Sequence, residues 1–388
     1  MTYRIVVVLT VFLTAGGLLI GQQNEDGGYI LGGTSQSYIH GGSLDDFLAY
    51  RVDANGDKLW RKNYGGDLSE RCYAFQQTID GGFLFAGFGN SGGNGFHDFL
   101  VYKVDATGAK QWRKYYGGGN YDYCYAARQT ADGGYVLAGT TYSYSHGGTD
   151  ILIYKLDAAG NKVWRKNYGG SGIDDGRSVQ QTADGGYVVA GHGDSYTTGN
   201  YDVLVYRLDA AGNKVWRKNF GGCGYDYCYT VRQTADGGFI TVGYSDSFSP
   251  GNTDFLVTKL GADGVVQWQK TYGGSGWEEG YGLCVCSGGG YAMVGSTTSY
   301  SHGMEDVLVY RVDASGAKQW RKNLGGFQND LGFVVQQTTD GGFIVLGTTY
   351  SYTSGSADFL AYKLDAAGAK AWRKHYGGSS SDYIYFYK

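Results

Sequence analysis

Proline is nearly missing from this chain: Pro250 is the single one in 388 residues. With glycine at 69, the composition fits neither a proline-rich disordered segment nor a collagen period. No stretch carries the 3.6-residue apolar period of an amphipathic helix, which leaves strands as the regular element. There is no nucleophile elbow, no phosphate-binding glycine loop, no HExxH helix and no CxxC metal pair, so the usual signatures of hydrolases, nucleotide enzymes and zinc sites are lacking. The formal net charge of -4 gives no reason to expect a nucleic acid partner.

Long hydrophobic runs are equally scarce. The one candidate lies in residues 1–21, MTYRIVVVLTVFLTAGGLLIG, where Arg4 precedes an apolar run from Ile5. It is broken by Thr10, Thr14, Gly16 and Gly17 and falls short of the ~20 apolar residues of a spanning helix, so no stable transmembrane helix is expected. The pattern reads as a secretory signal peptide, which would place the protein outside the cell or at its surface. An uncleaved leader or an extra strand is the alternative, because Leu19 makes a poor cleavage site before residue 22.

What is present is a ruler. Trp60, Trp112, Trp164, Trp216, Trp268, Trp320 and Trp372 stand 52 residues apart at every step, so residues 22–388 are seven equal units of a single domain. Each unit has four short apolar or alternating runs. Ser178 to Thr182 passes through Ala183-Asp184-Gly185-Gly186 into Tyr187 to Gly191; a longer loop leads to the VLVYRLD run after Asp202; a second tight turn at Gly212 returns the chain as KVWRKNF. The expected fold is all-β: a seven-bladed β-propeller of four-stranded antiparallel blades.

The period also predicts how the ring closes. Lys388 falls sixteen residues after Trp372, the slot that Gln22 occupies four residues before Asp26. The segment Asp382 to Lys388 (DYIYFYK) is therefore expected as the inner strand of the blade containing Tyr29 to Gly33, so that N- and C-terminal strands close the ring and leave no open sheet edge. If the leader is retained, its Gly16 to Gly21 segment competes for that place.

Positions repeated sevenfold answer to geometry. Gly56, Gly108, Gly160, Gly212, Gly264, Gly316 and Gly368 occupy a turn slot that calls for positive φ. The aspartates from Asp46 through Asp358, before each third strand, are expected to bond loop amides. Of the 32 basic residues, 26 fall in the third strand or in the KxWRK segment of the fourth, where they would guard an exposed edge and lay their stems along the tryptophan. Ten residues after each tryptophan comes an acid: Glu70, Asp122, Asp174, Asp226, Glu278, Asp330 and Asp382. Opening the innermost strand, these seven are expected around one mouth of the central channel, capping their own turns or holding a cation; no other cofactor is expected.

Function is sought where the units differ. The residues just before the acids are Ser69, Tyr121, Ile173, Tyr225, Trp277, Asn329 and Ser381, and Trp277 is the one tryptophan off the ruler. An aromatic beside a carboxylate can stack on a sugar face while accepting its hydroxyls, which makes Tyr121, Asp122, Tyr225, Asp226, Trp277, Glu278 and Glu279 the candidate binding residues. The loops before the third strands carry Tyr142, Tyr144, Tyr196, Tyr300, Tyr350 and Tyr352 among Ser and Gly, a composition suited to adaptable contacts. His40, His146 and His302 recur in equivalent loops of separate units and would not converge on one metal. Cys223 and Cys228 are close enough in sequence to bridge in an oxidising compartment.

The phrase QTADGGYVLAG followed by DILIYKLDAAGNKVWRKNYGG resembles the secreted β-propeller repeat proteins of bacteria and archaea, and more distantly the WD40-like and quinoprotein-like propellers. The resemblance covers nearly everything after Gln22 and implies the propeller fold, with no catalytic residue to carry over. The fifth unit departs most, with Gly261 and Gly288 for aspartates, Gln269 for the arginine, and Cys284 and Cys286 nearby. The leading expectation is a secreted, non-catalytic propeller that binds an extracellular glycan or protein on its loop-rich face. A structural subunit assembling with copies of itself in a filament or surface layer is the second, and a polysaccharide-active enzyme using two carboxylates is the third.

Overall fold

The computed structural model describes residues 27–39, 45–197, 199–249, 251–353 and 356–384; the leader and residues 385–388 fall outside them. Seven sheets of four antiparallel strands form a ring, a seven-bladed β-propeller. The third blade shows the pattern, with an inner strand Asp122–Gln129, then Tyr135–Thr141, Asp150–Leu156 and an outer strand Lys162–Tyr168. Burial follows from composition. The second and third strands are buried at every position, whereas the outer KVWRKNY is exposed or half-buried throughout, so polar residues concentrate at the rim.

The core lies between blades, not inside them. At one seam, Val136, Ala138, Ile151 and Ile153 of the third blade pack against Val179, Val189, Leu204 and Tyr206 of the fourth. Each fully buried aliphatic stabilises by roughly 1.5–3 kcal/mol, so a blade without its neighbour loses most of its apolar burial. The tryptophan ruler belongs to this packing: Trp164 meets Tyr187 of the next blade edge-on at 5.6 Å, and Trp372 meets Tyr29 at 6.1 Å across the closure. The turn glycines pack on the same rings, and all seven adopt the expected positive φ, Gly212 at 78° where an added β-carbon would fall 3.0 Å from Trp164. A fixed 52-residue spacing keeps ring, glycine and seam in register.

Closure takes the expected form where it is described. Asp382–Tyr383 is the innermost strand of the first blade, antiparallel to Tyr29–Ser35, with Ser35 opposite Asp382 and Thr34 opposite Tyr383. Gln36 N donates to Ser381 O (2.8 Å), and Asp382 N donates to Ala357 O on the seventh blade (2.7 Å).

Two expectations are corrected. The third-strand bases do not guard an edge: Lys103, Lys155, Lys259 and Lys363 are buried, each with its ammonium on the aspartate of its own blade's DGG hairpin, as in Lys103 Nζ to Asp80 Oδ2 at 2.8 Å. The fourth-strand arginines are also engaged, Arg165 lying 3.6 Å over Tyr144 and Arg321 3.5 Å over Tyr300. Second, the divergent "fifth unit" is two blades, with Gly261 and Gln269 in the fifth and Cys284, Cys286 and Gly288 in the sixth. A period has no built-in starting point, and sheet pairing supplies it.

Candidate binding site

Register places the long loops and the Gly-Gly links at one end of every blade. Asp122 and Asp150 both pair with Thr141, so the entry to the inner strand and the loop at 142–149 share a face, while the tight turns at 130–134 lie at the other. Successive side chains of a strand point to opposite sides, and this decides which residues reach the axis.

The seven acids do not. Glu70, Asp122, Asp174, Asp226, Glu278, Asp330 and Asp382 are all fully buried, each in a separate seam between blades. Asp122 accepts from Thr141 Oγ1, from Ser143 Oγ (2.7 Å) and from Gly118 N (2.8 Å); Glu278 accepts from Thr297 Oγ1 (2.6 Å) and Gly274 N (2.6 Å). They cap the Gly-Gly links and do not ring the mouth of the channel. Among the described residues no cluster of three or more His, Cys, Asp or Glu gathers to hold a metal. Asp122, Asp226 and Glu278 are therefore unplaced for accepting a ligand's hydroxyls, because the strand's alternation turns them away from the channel.

Asp122, Asp174, Asp226, Glu278 and Asp330 instead meet the third-strand aspartate of the preceding blade, whereas Glu70 accepts from Tyr102 and Tyr115. A β-carbon on Gly117 would fall 1.8 Å from Asp98 Oδ1 and 2.8 Å from Asp122 Oδ2, so glycine is the residue the paired carboxylates leave room for. Burial, and then the neighbouring charge of Glu278, pushes Asp254 up to about 6. Loop amides reach these aspartates in places, as Asn94 N does Asp98 Oδ2 (2.7 Å), while Asp150 takes His146 Nδ1 (2.7 Å) and Asn167 Nδ2 (3.1 Å).

The channel belongs to the alternate positions. Tyr121, Tyr123 and Tyr125 stack down one inner strand with centroids 6.2 and 6.3 Å apart, and Tyr225, Tyr227 and Tyr229 repeat the ladder at 6.2 and 6.4 Å. These spacings match the ~6.6 Å rise of two strand residues. The lowest rung is a β-bulge residue, unpaired in the ladder, as at Tyr125 between Cys124 and Ala126. The bulge residues of successive blades close on one another around the axis: Tyr73 on Tyr125, Tyr229 on Tyr281 and Tyr281 on Phe333, each at 5.2 Å. Arg177 interrupts this aromatic iris, its guanidinium 4.2 Å over Tyr125 and 5.9 Å from Tyr229.

Above the iris lies a polar layer. Arg177 Nη2 pairs with Asp175 Oδ2 at 3.1 Å, and Thr140 Oγ1 donates to Asp175 Oδ1 at 2.8 Å. Against the cost of burial, Arg177 holds the Asp175 carboxyl below its ordinary range. Burial pushes His192, 4.5 Å from the Tyr227 ring, down to about 3, so it stands neutral beside Asp175. Glu279, unlike Glu278, belongs to this layer and accepts from Tyr281 Oη.

At the top the candidates separate. Trp277 is 51% and Tyr225 42% exposed on adjacent blades, and Tyr225 leans on Tyr201 at 5.8 Å. Tyr121 lies two blades from Tyr225, stacked under exposed Phe96 at 5.0 Å and next to exposed Tyr142 at 6.2 Å. Four other loop tyrosines are committed to structure: Tyr144, Tyr196, Tyr300 and Tyr352 each donate a hydroxyl hydrogen to the first glycine of a Gly-Gly link, as Tyr300 Oη does to Gly273 O (2.5 Å), while Tyr350 is exposed. His146 and His302 bond to Asp150 and Asp306 in separate blades, and His40 lies outside the described residues. All six cysteines are free; Cys223 is exposed and Cys228 buried. Sequence reasoning passed over Tyr123, Tyr227, Asp175, Arg177 and His192, whose signal was alternation along the inner strand combined with departure from sevenfold identity.

This ring of seven four-stranded blades around an aromatic-lined axis defines the β-propeller class. No protein family model and no curated protein sequence matches the chain. Solved structures do. The chain is similar to the Neurospora crassa Pan2 WD40 domain (TM-score 0.53, 11% identity, 83% of each chain covered). It is similar to Sqt1 from Chaetomium thermophilum (TM-score 0.50, 11% identity, 91% of this chain and 85% of that one). A puromycin hydrolase, of which the match spans 54%, aligns with 93% of this chain at TM-score 0.56 and 10% identity. At such identities the likeness is one of fold.

Proposed function

We propose that the protein is a non-catalytic binding propeller, acting outside the cell or at its surface, that recognises a glycan on the loop-rich face at the mouth of its central channel. One observation carries this reading: the mouth presents exposed aromatic faces, Trp277, Tyr225, Phe96 and Tyr142, above a polar layer containing Asp175, Glu279 and Arg177. Ring faces suit the apolar face of a sugar, and the groups below suit its hydroxyls. A protein partner is the alternative occupant of the same face. The aromatic iris limits entry from this side to the upper channel, so the ligand would sit on the mouth instead of threading the ring. A glycan array with affinity capture, run on wild type, Trp277→Ala and Tyr225→Ala, tests it. A ligand held by wild type and lost by at least one variant supports the reading; a ligand bound equally by all three removes the mouth as its site.

A further inference from the structure

The opposite end of the channel holds a charge that nothing among the described residues balances. The last axis-facing position of the inner strand is Gln76, Arg128, Gln180, Arg232, Cys284 and Gln336 in the second to seventh blades. Two of these glutamines tie one blade to the next: Gln76 Oε1 accepts from Gln129 N (2.8 Å), and Gln180 Oε1 from Gln233 N (3.0 Å). A guanidinium has no acceptor and cannot make that bond.

Arg128 and Arg232 are 4% and 0% exposed. Each donates Nη1 to the carbonyl of the residue before it, Ala127 O and Val231 O, both at 2.5 Å, and Arg232 Nη1 reaches Ser178 Oγ at 3.5 Å. Nε and Nη2 of both arginines have no partner among the described residues, and neither arginine forms an ion pair there. The positions two residues earlier on the same strands are Ala74, Ala126, Ser178, Thr230, Gly282 and Val334, so these positions of the second to seventh blades supply no carboxylate. The arginines stand one blade apart on either side of the fourth, and burial followed by the Arg232 charge drives Arg128 well down. A guanidinium nonetheless stays protonated, and an uncompensated buried charge is strongly destabilising. Water could take the free N–H groups but not the charge. Two buried planar forks, each with Nε and Nη2 unpartnered among the described residues, offer the donors that an oxyanion accepts.

We propose that the base of the central channel binds one small oxyanion, a phosphate, sulfate or carboxylate, between Arg128 and Arg232. The anion is a structural ligand that ties the third, fourth and fifth blades where glutamine does so elsewhere, and its site is independent of the loop-face mouth.

Arg128→Gln and Arg232→Gln place in each slot the residue that neighbouring blades use, so the ring has a native precedent for either change. Purified wild-type protein is denatured and the released anion is identified by ion chromatography and mass spectrometry, which separate inorganic from organic sources. One equivalent is expected from wild type and none from the double variant. After exhaustive dialysis, inorganic phosphate should raise the wild-type melting temperature saturably beyond chloride at equal ionic strength, with affinity weakened about tenfold or more in each single variant. Wild type that releases no anion and melts alike in phosphate, sulfate and chloride overturns the proposal, whether or not the variants fold; so does a double variant that keeps the phosphate response.

Discussion

Asp254 on the fifth blade and Glu278 on the sixth each place a carboxylate oxygen beside Gly273, 1.8 and 2.7 Å from where a β-carbon would sit. Neither side chain is exposed beyond 1%. The arrangement recurs at successive seams, so the molecule carries a series of buried acid pairs that favour holding a proton.

The pH dependence follows in sign. Asp254 is raised from 3.8 to about 6, by burial first and Glu278 second. A carboxyl raised on folding binds its proton more tightly in the native state, so its stabilising contribution is complete below about 3.8 and is lost as pH rises through about 6. Asp98, Asp174, Asp202 and Asp330 are raised in the same direction, mainly by burial. Between those pH values, thermal melts should show this set of groups lowering the midpoint as pH increases, and Asp254→Asn should reduce that slope. A slope identical in the variant would remove the pair as its source.

Gly273→Ala should destabilise by about 1–3 kcal/mol, because its methyl group must displace a buried carboxylate. Gly133→Ala is the comparison: its added β-carbon meets nothing within 4 Å, but its φ of 78° strains an alanine. Equal losses in chemical denaturation would mean that backbone conformation, not the acid pair, sets the cost.

The fifth blade supplies a natural double change. In the first, third, fourth, sixth and seventh blades an outer-strand arginine stacks on a loop tyrosine whose hydroxyl bonds a Gly-Gly link; in the fifth Gln269 and Phe248 replace both, and Phe248 is 42% exposed. Restoring the pair, Phe248→Tyr with Gln269→Arg, should stabilise by about 1 kcal/mol, more than the sum of the single changes. Denaturation of the four proteins of this cycle measures it; strict additivity would show that the stack contributes nothing.

Removal of residues 382–388 takes away the strand paired with Thr34 and Ser35 and the amide bond from Asp382 to Ala357. The first and seventh blades then lose their junction at the axis, and cooperative unfolding should be lost instead of the midpoint shifting slightly. A truncated protein melting sharply within a few degrees of the full chain would show that this strand does not close the ring.

Much of the fold was legible because 52-residue spacing, turn glycines and the Trp372-to-Asp382 register each impose one geometry. The site was less legible. Asp122 and Tyr123 are consecutive on an inner strand enclosed on both faces, one by the seam and one by the plugged channel, so polarity did not tell which faced the axis. A buried aspartate capping a glycine link therefore read like a ligand carboxylate, and Lys103, buried on Asp80, read like a surface charge. Tyr121, Tyr225 and Trp277 were found because they break a sevenfold pattern that packing alone would repeat. Arg177, Arg128 and Arg232 break it equally, but their significance depends on a partner, or the lack of one, that only three dimensions reveal.

Trp277 offers the most direct test of the mouth as a binding site, since it is the one tryptophan away from the outer strands and is half exposed on the loop face. Tryptophan emission is recorded while the glycan identified on the array is titrated into wild type and into Trp277→Phe. The account predicts a saturable change in wild type that is absent from Trp277→Phe, with binding itself retained or weakened in that aromatic replacement. A saturable change of equal size in both proteins would place the ligand elsewhere and contradict it.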